Sequence, residues 1–118
     1  VSWLVRNNIA RNPSTPEELL AYLSADRILD VRATAAQNPR TPAEALDALA
    51  RDRSWEIREA AARNPRLDGR ILDELAGHWS WVVREAVAKN PNTPSETLKR
   101  LAADPDQSVQ KAARSRAG

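Results

Sequence analysis

The dipeptide Asn-Pro recurs at a constant interval: Asn12-Pro13, Asn38-Pro39, Asn64-Pro65 and Asn90-Pro91, each 26 residues from the next. A fixed interval of this length points to an array of like units. A supersecondary unit this short cannot bury its apolar face alone and must stack on copies of itself. Proline also ends what precedes it, because it disfavours helical geometry in the residue before it and has no N–H to donate. Each unit therefore splits into two segments at Asn-Pro. The units run 1–26, 27–52, 53–78 and 79–104, and 105–118 holds a first segment only.

The first segments share a helical stripe. Val5, Val31, Ile57, Val83 and Val109 are equivalent. Three residues later come Asn8, Thr34, Ala60, Ala86 and Ala112, and four residues later Ile9, Ala35, Ala61, Val87 and Ala113. This i, i+3, i+4 spacing predicts one buried face, and its small side chains predict close approach of the neighbouring helix. Ser54 is placed to cap its segment, with Glu56 and Glu59 near the positive end of the helix dipole.

The second segments open on Thr15-Pro16-Glu17-Glu18, Thr41-Pro42-Ala43-Glu44 and Thr93-Pro94-Ser95-Glu96. This pattern predicts a capping box, with threonine as cap, proline at the first helical position and glutamate reaching back. Leu20, Leu46, Leu72, Leu98 and then Leu23, Leu49, Leu75, Leu101 supply the apolar stripe. Helices of about three turns are marginal alone in water, so stacking must hold them. The expected fold is all-α, an α-solenoid of about four and a half helical repeats in one domain. At axis separations of 8–10 Å it should be about 40 Å long.

Composition narrows the chemistry. The formal net charge is +2, too small to be a nucleic-acid signature by itself. With no Cys, disulfides, thiolate metal sites and iron–sulfur clusters are excluded. One His, three Gly and no pair of metal-ligand spacing leave no enzyme motif, and no cofactor or metal is expected. No apolar run approaches the ~20 residues that span a bilayer, and a cytoplasmic protein is expected.

The chain starts at Val1 and reads as an excerpt of a longer one. Its polar last segment, from Gln107 to Arg114, reads as a C-terminal cap. The opening Ser2-Trp3-Leu4-Val5 carries Leu4 where other units carry Asp30, Glu56 or Ser108. Association through this apolar N-terminal end, with preceding repeats or a second copy, is therefore expected.

The string Val31-Arg32, Ala35-Ala36, Asn38-Pro39, Thr41-Pro42, Glu44, Leu46, Leu49, with its counterparts in the other units, resembles the leucine-rich repeat variant family of bacteria. The resemblance covers nearly the whole chain. It implies alternating α and short 3₁₀ helices in a superhelix, so the first segments are expected to be partly 3₁₀. A founding type of the family carries a cysteine-bound iron–sulfur cluster, which a chain without Cys cannot hold. The family implies no shared catalytic activity. Asp52 followed by Ile57-Arg58 and Ala61-Ala62 also resembles the HEAT repeat, which implies Asp–Arg bonds along the stack: Asp26 with Arg32, Asp52 with Arg58, and Asp104 facing Gln110.

Several columns are candidates for function. Arg6, Arg32, Arg58 and Arg84 form either a structural ladder or a cationic row for an acidic partner. Arg11, Arg63 and Lys89 form a patchier basic column before each Asn-Pro, explained equally by favourable contact with a helix C-terminus. Trp3, Trp55 and Trp81 are equivalent, with Leu29 and Gln107 in the remaining places. They are either a packing ridge between units or a contact surface. The third unit departs from the pattern at Leu67-Asp68-Gly69 and at Gly77-His78-Trp79-Ser80-Trp81.

The expected function is a non-catalytic scaffold for a protein partner. Its contact residues would be Trp3, Trp55, His78, Trp79 and Trp81, flanked by Arg58, Arg63, Arg84 and Lys89. Nucleic-acid binding through the Arg and Lys columns, with base stacking on the Trp residues, is the alternative.

Overall fold

The computed structural model describes the backbone of residues 1–117 and the side chains of residues 1–116. Among the described residues there are nine α-helices and no strand. The long helices are α1 (Trp3–Arg11), α3 (Leu29–Gln37), α5 (Trp55–Ala62), α7 (Trp81–Lys89) and α9 (Gln107–Ala117). The short ones are α2 (Glu17–Leu23), α4 (Ala43–Leu49), α6 (Gly69–Leu75) and α8 (Ser95–Leu101). Each set keeps the 26-residue register of the sequence. The array measures 46 × 21 × 18 Å. No helix among the described residues is long and apolar enough to cross a membrane.

The first segments are α-helical, and no 3₁₀ helix occurs among the described residues. Bonds of the i→i+3 kind occur at the helix ends and in the turns, as in Val31 N–H to Ile28 O at 3.1 Å and Asn38 N–H to Ala35 O at 3.2 Å. With nine-residue segments ending at an extended Asn before Pro, the α ladder can run its full course.

The long helices pack side by side, α1 on α3, α3 on α5, α5 on α7 and α7 on α9. Val31, Ile57, Val83 and Val109 are fully buried between them, as are Ala35, Ala61, Val87 and Ala113. The short helices lean on the long ones and bury the two predicted leucine columns. At the N-terminal end Leu4 and Val5 are exposed, since no helix covers them.

The threonines do not cap. Pro16, Pro42 and Pro94 occupy the N-cap positions, and none of these helices has a side-chain cap bond. Thr15, Thr41 and Thr93 are buried and donate instead to Ile9 O (2.5 Å), Ala35 O (2.5 Å) and Val87 O (2.6 Å). A buried hydroxyl satisfies a carbonyl in the last turn of the long helix, where none is left unpaired cheaply. Ser54 likewise occupies the N-cap position without bonding the helix N–H groups, and its hydroxyl donates to Glu56 at 2.6 Å. In α6, Asp68 does cap, accepting from Arg70 N–H at 2.7 Å.

The asparagines of Asn-Pro do more than mark turns. Buried Asn64 donates its side-chain amide to Ala36 O (2.8 Å) and Asn38 O (3.1 Å) of the preceding unit, and its Oδ1 accepts from Arg66 N–H at 2.9 Å. Asn38 makes the same bonds to Ala10 and Asn12, and Asn90 makes them to Ala62 and Asn64. In the fifth unit Arg116 takes this place, donating to Asn90 O at 2.7 Å. The result is a continuous amide ladder along the stack.

Candidate functional site

The arginine column is a ladder with a different register from the one expected. Arg6, Arg32 and Arg84 donate from Nε to Asp26, Asp52 and Asp104, twenty residues ahead, at 2.6, 2.9 and 2.7 Å. The expected carboxylate pairs six residues apart, Asp26–Arg32 and Asp52–Arg58, do not form. At that spacing the acceptor is the main chain: Arg32 donates to Asp26 O (3.0 Å), Arg84 to His78 O (2.8 Å), Arg58 to Asp52 O (2.5 Å), and Gln110 to Asp104 O.

The cause lies in the turn after each short helix. Asp26, Asp52 and Asp104 each accept through Oδ1 from the N–H two residues on, at 2.9, 2.9 and 2.8 Å. That bond turns the carboxylate toward the arginine of its own unit's long helix. Arg6's bond, aided by Ile28 N–H, holds Asp26 below its ordinary value against the opposing effect of burial. For Asp104 burial pushes the carboxyl up, but Arg84 and Asp106 N–H together outweigh it.

The third unit lacks this aspartate. His78 stands in its place and is buried, so its side chain lies inside the junction rather than on the surface proposed for it. Its Nδ1 accepts from Ser80 N–H at 3.0 Å, doing what Oδ1 does in the other units. Nothing replaces Oδ2. Among the described residues Arg58 has no ion pair, and its one hydrogen bond goes to Asp52 O. Burial lowers the His78 pKa, and the charges of Arg58 and Arg84 lower it further.

Two of the three residues of the second basic column are neutralised within their own helices, while Arg11 donates only to the neutral Asn8 Oδ1 at 3.4 Å. Arg63 pairs with Glu59 at 2.5 Å and Lys89 with Glu85 at 3.6 Å, both one turn back. Arg6, Arg32 and Arg84 are also paired, and the alternative of phosphate binding is not favoured.

The tryptophans are partly covered. Trp3, Trp55 and Trp81 open their long helices with 41%, 36% and 46% of their surface exposed, and Leu29 continues the row at 38%. Trp79 is 75% exposed, its ring 5.2 Å from that of His78 beneath it. The sequence signal did not single out Leu19 and Tyr22, which line a groove of about 720 Å³ beside Arg6 and Ile9. The clue was available, because Tyr22 stands where other units carry Ala48, Glu74 and Arg100.

Two stretches, residues 29–54 and 81–106, match the model of the family described as "Leucine rich repeat variant". Each covers one full repeat period, from the start of one long helix to the residue before the next. A solved structure described as "a leucine-rich repeat variant with a novel repetitive protein structural motif" superposes with a TM-score of 0.55 at 28% identity. The match covers 98% of this chain and 56% of that one, so this chain spans little more than half the length of its structural relative. No curated protein matches the chain.

Proposed function

Because the chain is built from leucine-rich-repeat-variant units, we propose that it is a non-catalytic scaffold that presents the N-terminal turns of its long helices to a protein partner. The observation that carries this reading is the row Trp3, Leu29, Trp55 and Trp81, joined by the prominent Trp79. The four members of the row are each anchored in part by their own helix and offer the rest of their surface to solvent, while Trp79 stands out from the loop before α7. Rigid, half-anchored aromatics lose little entropy on binding and are favoured at interface centres. The internal pairing of Arg63, Arg84 and Lys89 supports an apolar contact with a polar rim over a phosphate-driven one.

Affinity capture followed by titration of the purified partner tests this reading. The triple variant W55A/W79A/W81A should bind at least about tenfold more weakly, a loss of ~1.4 kcal/mol or more. Affinity should also change little between about 50 and 200 mM salt, where phosphate binding would fall steeply. Full retention by the triple variant, or a salt-sensitive mobility shift with nucleic acid, would contradict it.

A further inference from the structure

We propose that the junction after the third unit is a carboxylate-binding slot, in which Arg58 takes the carboxylate of a small acid or of an acidic peptide side chain. This goes beyond the scaffold reading and does not depend on it. The argument starts from the repeat itself. In three units a ladder arginine holds an aspartate through Nε, and in two of these its Nη1 also holds the carbonyl six residues back. In the third unit His78 replaces the aspartate, and a neutral imidazole whose Nδ1 already accepts from Ser80 N–H cannot supply the second oxygen. Arg58 swings its Nε onto Asp52 O, and the rest of its guanidinium is left without a protein acceptor among the described residues.

That guanidinium faces a space, not a packed wall. Arg58 lines a cavity of about 230 Å³ together with Arg51, Glu74, Leu75, Gly77 and His78. Arg51 and Glu74 pair with each other at 3.3 Å, so their charges cancel and Arg58 supplies the net positive charge. A guanidinium prefers a bidentate carboxylate, and the neighbouring units display that pair in the same fold.

His78 is the only histidine in the chain, so its imidazole NMR signals report on this site without ambiguity. Acetate titrated against chloride at matched ionic strength should shift those signals saturably. Acetyl-Ala-Glu-Ala-amide, compared with its glutamine analogue, shows whether a peptide side chain also fits; acetate binding without peptide binding identifies a small acid as the occupant. Arg58→Gln should weaken acetate by about tenfold or more, the scale of a charge-assisted bond. His78→Asp, which supplies the missing carboxylate in cis, should raise Tm and abolish any acetate-dependent rise in Tm. It decides the matter even if Arg58→Gln fails to fold. A linear shift equal for acetate and chloride, or an acetate effect that persists in His78→Asp, would overturn the proposal. Either result would leave the tryptophan face untouched.

Discussion

Arg84 Nε lies 2.7 Å from Oδ2 of Asp104, twenty residues ahead, and Arg84 Nη1 lies 2.8 Å from the carbonyl of His78, six residues behind. One side chain thereby ties the start of its own repeat to the turn that opens the next. The two side chains are only 15% and 6% exposed. Arg84→Met should therefore cost about 3 kcal/mol, because it strands a buried carboxylate. A double-mutant cycle with Asp104→Asn should give a coupling of about 1–3 kcal/mol. The exposed pair Arg70–Asp68 should couple by less than about 1 kcal/mol in the same urea titrations.

His78 makes stability depend on pH near neutrality. Burial, reinforced by Arg58 and Arg84, holds its pKa below 6.5 in the folded chain. The unfolded state thus binds the proton more readily, and stability rises with pH through this window. It should be complete above about pH 6.5 and decline as pH falls toward the folded pKa, where protonation also breaks the bond from Ser80. Urea midpoints measured from about pH 8 to about pH 5 should show this slope. His78→Asn keeps an acceptor for Ser80 N–H and should flatten it.

The ladder aspartates act at lower pH. Asp26, bonded by Arg6, and Asp104, bonded by Arg84, both titrate below 3.8 in the folded chain. Their contribution is present above that value and is lost as pH falls through their depressed pKa values. Acid unfolding should therefore shift to higher pH in Asp26→Asn, measured by far-UV circular dichroism.

The tryptophans divide by exposure. Trp79→Ala should alter stability by no more than about 0.5 kcal/mol, as expected of a surface side chain. Trp55→Ala removes a side chain nearly two-thirds covered and should cost about 1–3 kcal/mol. Comparable losses at both positions in chemical denaturation would contradict this division.

The architecture was legible because Asn-Pro and the Val, Ala and Leu columns repeat in fixed register, and helical periodicity translates directly into a buried face. The side-chain wiring was less so. Threonine before proline has the local signature of a cap, but buried Thr41 finds a carbonyl six residues back, and only packing reveals that choice. The Arg–Asp pairs were read from the nearest sequence spacing, whereas Asp52 is turned away by its own bond to Ser54 N–H. The asparagine ladder joins residues in adjacent units, and a turn signal conceals that role. His78 was visible as a departure from the pattern. That it is buried, and that it leaves Arg58 without a carboxylate, required knowing where the neighbouring aspartates point.

The central claim is that the equivalent asparagines do equivalent work, each holding its own repeat to the one before. The most direct test is the urea stability of Asn38→Ala, Asn64→Ala and Asn90→Ala beside Asn12→Ala. The three buried asparagines each bridge two carbonyls of the preceding unit, and their loss should cost about 1–3 kcal/mol apiece, alike within error. Exposed Asn12, whose side chain only accepts from Ser14 N–H, should cost less than about 1 kcal/mol. Dissimilar costs among the three, or an Asn12 variant as damaged as they are, would contradict the account.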